Sequence, residues 1–126
     1  MNLTTLAFLG DAFFELSVRR RLVSSGGLFA ADKLHTAAVR YVKASSQAKI
    51  MRTLIGQDIL SEEELDLVRR ARNRKPKSVP RNADPLDYKF ATAFEALLGY
   101  HYMEKRIDRA EELAERAIGI IDGLAK

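Results

Sequence analysis

Two acidic residues in this chain stand where their neighbours offer them nothing polar. Asp11 lies in LAFLGDAFF, with no other charge between Leu3 and Phe14, and Glu95 lies in ATAFEALLGYHY as the one formally charged residue from Phe90 to Tyr102. If both stretches are helical, any rotation turns these acids toward apolar side chains, so both are predicted to be buried. An unpaired ion in a protein interior costs several kcal/mol, while a domain of this size has a total stability of only ~6–19 kcal/mol. Each carboxylate therefore needs compensation. Two solutions are open: each acid pairs with an arginine or caps backbone groups, or the two helices cross so that both acids converge on one cation. Gly10 beside Asp11, and Gly99 one turn beyond Glu95 on the same face, suit the second by letting backbones approach. A cation held in this way lowers the pKa of bound water and offsets charge on a phosphate oxygen, which is the chemistry of phosphodiester hydrolysis.

The basic residues are concentrated in one place. Of 21 lysines and arginines, seven fall between Arg69 and Arg81 with no acid among them, and without these seven the chain would be net acidic rather than +4. A local basic patch is the footprint expected for a polyanionic partner. Arg72, Arg74, Lys75 and Lys77 are the candidate phosphate contacts, and His35 is at most an accessory one.

Helices must position these groups, because the chain has helical spacing throughout and no alternating strand pattern. The fold class expected is all-α, a helical bundle. A first helix opens at Thr4 or Thr5, is apolar on all sides through Phe14, and ends before Gly26 and Gly27; such a helix belongs inside the bundle. The stretch from Ala31 to Gly56 reads as two helices broken between Lys43 and Ser46, with Leu34, Ala38, Tyr41, Ala48, Met51, Leu54 and Ile55 inward. Ser61 and Glu64 form a capping box for a helix whose acids lie at its start and arginines at its end, as the helix dipole favours. Pro76 and Pro80 interrupt the chain, so the basic patch spans a helix end and a loop. Asp84, Pro85 and Asp87 start the helix that carries Glu95, whose Tyr88 and Tyr100, with Tyr102, are expected in the core. A final helix from about Asp108 buries Ala110, Leu113, Ala117 and Ile120.

Composition bounds the rest. The 126 residues, 47% hydrophobic and 30% charged, suit one domain, 1–126, and exclude the disordered and fibrous classes. With no cysteine and only two histidines, disulfide frameworks and thiolate zinc sites are excluded, and any metal would be held by oxygen, which suits magnesium or manganese. No apolar run approaches the roughly 18 residues of a membrane span and no signal-peptide pattern is present, so the expected location is cytoplasmic.

LAFLGDAFFE and FEALLGYHY resemble the signature helices of ribonuclease III catalytic domains. With LHTAAVRYVKASSQA and RRARNRKPKSVPRNAD between them in the same order, nearly the whole chain resembles the Mini-ribonuclease III branch, which lacks a double-stranded-RNA-binding domain. The resemblance implies a ribonuclease III-type endonuclease fold, a homodimer, and magnesium-dependent cleavage of double-stranded RNA, with precursor 23S ribosomal RNA as substrate. It assigns Asp11 and Glu95 as catalytic and metal-binding residues. Larger members of the family carry two further acids, at the positions of Ala7 and Thr92 here. Glu15, one turn beyond Asp11, is a candidate auxiliary ligand or a packing residue. The rival readings are a non-catalytic RNA-binding or ribosome-assembly protein, in which the acids are structural, and a helical DNA-binding module.

Overall fold

The computed structural model describes residues 2–25, 30–74, 79 and 81–124. Within them the chain forms six helices, in order α1 Leu3–Ser24, α2 Ala31–Val42, α3 Ala44–Gly56, α4 Glu62–Asn73, α5 Pro85–Met103 and α6 Ile107–Leu124, and no strand.

The local signals explain most of the boundaries. Asp84 caps α5 by accepting hydrogen bonds from the Leu86 and Asp87 amides at 2.8 and 3.2 Å, and Pro85, which has no N–H to leave unpaired, takes the first helical position. Ser61 and Glu64 exchange both bonds of the capping box on α4. The expected break falls at Lys43, whose extended backbone (φ −63°, ψ 152°) ends α2 and begins α3. α1 starts earlier than expected: Asn2, rather than a threonine, is its cap, accepting from the Thr5 amide at 2.8 Å. Gly26 and Gly27, read as its terminator, lie outside the described residues.

α5 is the central helix and packs against α1, α3, α4 and α6. Phe94, Ala96, Leu97 and Leu98 are fully enclosed, and Phe94 meets Phe14 of α1 edge-to-face with ring centroids 5.0 Å apart. The α1–α5 crossing is backbone on backbone. A Cβ on Gly10 would lie 1.7 Å from the Glu95 carbonyl oxygen, and one on Gly99 would lie 1.9 Å from that of Leu6. No side chain fits at either position, and the absence of both lets Asp11 and Glu95 meet.

The burial of α1 differs from the expectation. Only the stripe of Leu6, Ala7, Gly10, Phe14, Ser17 and Val18 is buried, while Phe8 is 81% exposed and Leu16 67% exposed. α1 lies along the outside of the bundle, so an apolar sequence on all sides does not mean cover on all sides. The tyrosines differ too. Tyr88 and Tyr100 are only partly buried and Tyr102 is exposed, because their rings lie toward the ends of α5 rather than at its enclosed middle. α6 buries Ala110, Leu113 and Ala117 as expected, whereas Ile120, and Leu34 and Ile55 on α2 and α3, are only partly buried.

Candidate active site

The α1–α5 crossing opens on one side into a cleft of about 520 Å³ whose lining includes Phe8, Asp11, Arg74, Lys89, Thr92 and Glu95. Tyr88, Thr92 and Glu95 reach it from one face of α5, at the i, i+4, i+7 spacing of a helix. Arg74 enters from the C-cap of α4. The two acids that the sequence singled out thus share one space, although they are far apart in the chain.

Their environments are unequal. Asp11 is exposed, contrary to the expected burial, because it lies on the uncovered side of α1 near Phe8. The desolvation argument therefore applies to Glu95 alone. Its side chain is partly buried, and its carboxyl is pushed up to about 8, first by burial and then by the hydrogen bond and charge of Asp11. Gln47 of α3 works in the other direction, donating to Glu95 Oε2 at 3.4 Å. Among the described residues neither acid forms an ion pair. The arginine-paired alternative therefore fails for both.

The other candidates separate. Glu15 makes an ion pair with Arg19 at 3.7 Å and does not line the cleft, so the structure gives it no part in holding a metal. Arg72 is partly buried, with its guanidinium 5.8 Å from the Phe90 ring, and is also absent from the cleft lining. Lys75 and Lys77 lie outside the described residues. His35 is exposed.

Sequence reasoning missed Lys89 and Gln47. Lys89 directly precedes the charge-free run that drew attention to Glu95. Gln47 shares the i, i+4, i+7 stripe of Met51 and Leu54, so it was legible as a polar residue among inward apolar ones. Glu64, read as a cap alone, is also the buried partner of His101 and Arg109.

Residues 4–106 match the Ribonuclease III domain family. The chain belongs to the ribonuclease III family. The Mini-ribonuclease 3 of Brevibacillus brevis is 46% identical over 97% of this chain and 89% of its own length. That of Symbiobacterium thermophilum is 44% identical over 94% and 88%, respectively. Among solved structures, a Fusobacterium nucleatum protein superposes with a TM-score of 0.81 at 31% identity, covering 94% of this chain and 92% of the other. Enzymes of this family cut double-stranded RNA, and the chain is accordingly an endoribonuclease.

Family membership gives the remaining cleft positions meaning. Ala7 and Thr92, where larger ribonuclease III enzymes carry acids, both line the same cleft as Asp11 and Glu95. Among the described residues no group of three or more acids, histidines or cysteines is placed to hold a metal. The carboxylates available here are a pair. Among the described residues no helix is long and apolar enough to cross a membrane.

Proposed function

We propose that Asp11 and Glu95 together hold a divalent cation, magnesium with manganese as a substitute, and that the chain uses it to hydrolyse double-stranded RNA. The observation that carries this reading is an acid pair, contributed by two helices to one cleft, with no cationic side chain among the described residues paired to either member. Such a pair is unfavourable by itself, as the raised Glu95 carboxyl records, and a hard dication is the natural compensation for clustered oxygen ligands. Asp11 and Glu95 would hold such a cation through their carboxylate oxygens, the ligand type that magnesium and manganese prefer.

When bound, such a cation supplies Lewis-acid polarisation of a phosphate oxygen and a more acidic water. Glu95 must lose its proton to take part, and Asp11, from the exposed side, keeps the pair open to solvent and substrate. Arg74 and Lys89 line the same cleft and hold backbone phosphates beside the acids; Lys75 and Lys77 are assigned phosphate contacts on their charge and sequence position alone, and Arg72 plays a smaller part. A-form RNA presents its phosphates and 2′-hydroxyls more readily than its base edges, so recognition favours shape over sequence. The products are a 5′-phosphate and a 3′-hydroxyl.

The uncovered apolar face of α1, with Phe8 and Leu16, supports a homodimer, the usual state in this family. Two sites in a symmetric dimer cut both strands of a duplex without rebinding. We further assign the enzyme to the cytoplasm and to maturation of precursor 23S ribosomal RNA.

The test is cleavage of long double-stranded RNA, with DNA as control, with and without magnesium, by the parent chain and by Asp11→Asn and Glu95→Gln. The expected result is magnesium-dependent cutting of RNA that both substitutions abolish while RNA binding persists. Cutting that survives either substitution rejects the site. Binding without any cutting by the parent points instead to a non-catalytic RNA-binding protein.

A further inference from the structure

Gln47 stands one helix away from the acid pair. It lies in the first turn of α3 and is only 2% exposed, an unusual place for a primary amide. Its Nε2 donates to the backbone carbonyl of Val42 at 2.8 Å and to Glu95 Oε2 at 3.4 Å. Its Oε1 is buried and, among the described residues, meets no protein donor. A side chain kept only for packing would not place an amide here with its carbonyl end unpaired, because leucine or methionine would fill the space without that cost.

The chain break explains how the amide is aimed. Val42 is the last residue of α2, and the extended Lys43 that follows it leaves the Val42 carbonyl without an intrahelical donor. That carbonyl fixes one hydrogen of the Gln47 amide. The other is then directed at Glu95.

We propose that Gln47 is a positioning residue: held by Val42, its amide orients the Glu95 carboxylate toward Asp11 so that the two acids present their oxygens to one cation. This rests on the reading of Asp11 and Glu95 as a cation-binding pair. Hydrogen-bond partners that orient a ligand in this way typically change metal affinity or activity by about 10–100-fold when removed.

The experiment compares Gln47→Leu and Gln47→Met with the parent in three measurements: thermal melting, Mn2+ affinity without RNA by electron paramagnetic resonance titration, and steady-state cleavage of a double-stranded RNA. The expected result is a nearly unchanged melting temperature, Mn2+ affinity weaker by about tenfold, and kcat lower by about 10–100-fold with KM for RNA little changed. Mn2+ affinity and kcat within about twofold of the parent, in either folded variant, would make Gln47 only a cap for α2 and overturn the inference. Failure of both variants to fold cooperatively counts the same way, since packing would then be the primary role. Glu95→Gln is measured alongside. If it too leaves Mn2+ binding and cutting intact, the acid pair itself has been misread; if it alone abolishes them, only the role of Gln47 falls.

Discussion

Glu64 and Glu95 are the same side chain, each on a helix of one small bundle, and the fold treats them in opposite ways. Glu64 is 3% exposed and fully partnered. It accepts from Arg109 at 2.9 and 2.8 Å, from the Ser61 amide at 2.8 Å, and from His101 Nε2 at 2.6 Å, while His101 Nδ1 accepts from Arg106. Burial alone would raise its carboxyl, but the bonds from Arg109, Ser61 and His101 reverse that and hold it at about 2. Glu95 has no cationic partner among the described residues, faces another acid, and is raised to about 8. The first arrangement ties α4, α5 and α6 together. The second leaves an electrostatic need that a ligand can meet. A buried acid is thus informative about chemistry only once its partners are known.

The largest effect that would sharpen this contrast is a reversal of outcomes between two matched substitutions. Glu95→Gln is expected to lower cleavage by about ten-thousandfold or more, the scale for losing a member of a catalytic unit, with melting temperature unchanged or higher. Glu64→Gln is expected to leave cleavage per folded molecule intact while destabilising the chain by about 2–4 kcal/mol, because Arg109 and His101 lose their common acceptor. Denaturation and RNA cleavage measured on both variants decide it, and similar profiles for the two would erase the distinction.

Gly10→Ala addresses what brings Asp11 to Glu95. With the new methyl inside van der Waals contact of the α5 backbone, the helices must separate, at an expected cost of about 3 kcal/mol or more. A chemical denaturation midpoint close to that of the parent would show that the crossing is looser than described.

The pH dependence should have opposite signs at the two sites. Folded and metal-free, Glu95 keeps its proton up to about 8, whereas the unfolded chain releases it near 4.5, so stability falls as pH rises through that interval. The loss is on the order of 2 kcal/mol after allowance for partial exposure. Glu64 does the reverse: its contribution is complete above 4.5 and is lost as pH falls toward 2. Melting from pH 5 to 8.5 with a chelator isolates the Glu95 contribution, and either saturating magnesium or Glu95→Gln should flatten it. Calorimetry at pH 7 in buffers of different ionisation enthalpy should also record release of about one proton per Mn2+ bound. A slope unaffected by Glu95→Gln would assign the titration to another group.

The smallest effect is expected at the edge of the paired site. Arg106→Ala removes a donor to His101 and an exposed contact with Glu63. A fall of only a degree or two in melting temperature should follow. A larger fall would mean that the Glu64 cluster depends on its rim as well as its centre.

Much of this molecule is legible in its linear sequence, and the reasons lie in particular residues. Helical periodicity and the caps at Ser61 and Asp84 depend on neighbours within a turn, so they survive in the linear chain. The two acids announced themselves because apolar sequence isolated them, and Gly10 and Gly99 pointed to the close crossing. The sequence alone, then, determined an all-helical chain, most of its helix boundaries, and the two acids worth watching, since each depends on local chemistry and short spacing. Which side of α1 faces water, that Arg109 and His101 belong to Glu64, and that Gln47 reaches Glu95 were decided only by tertiary packing. Those contacts join residues 37 to 48 positions apart, and the rotation and crossing of whole helices, which no short stretch encodes, bring them together.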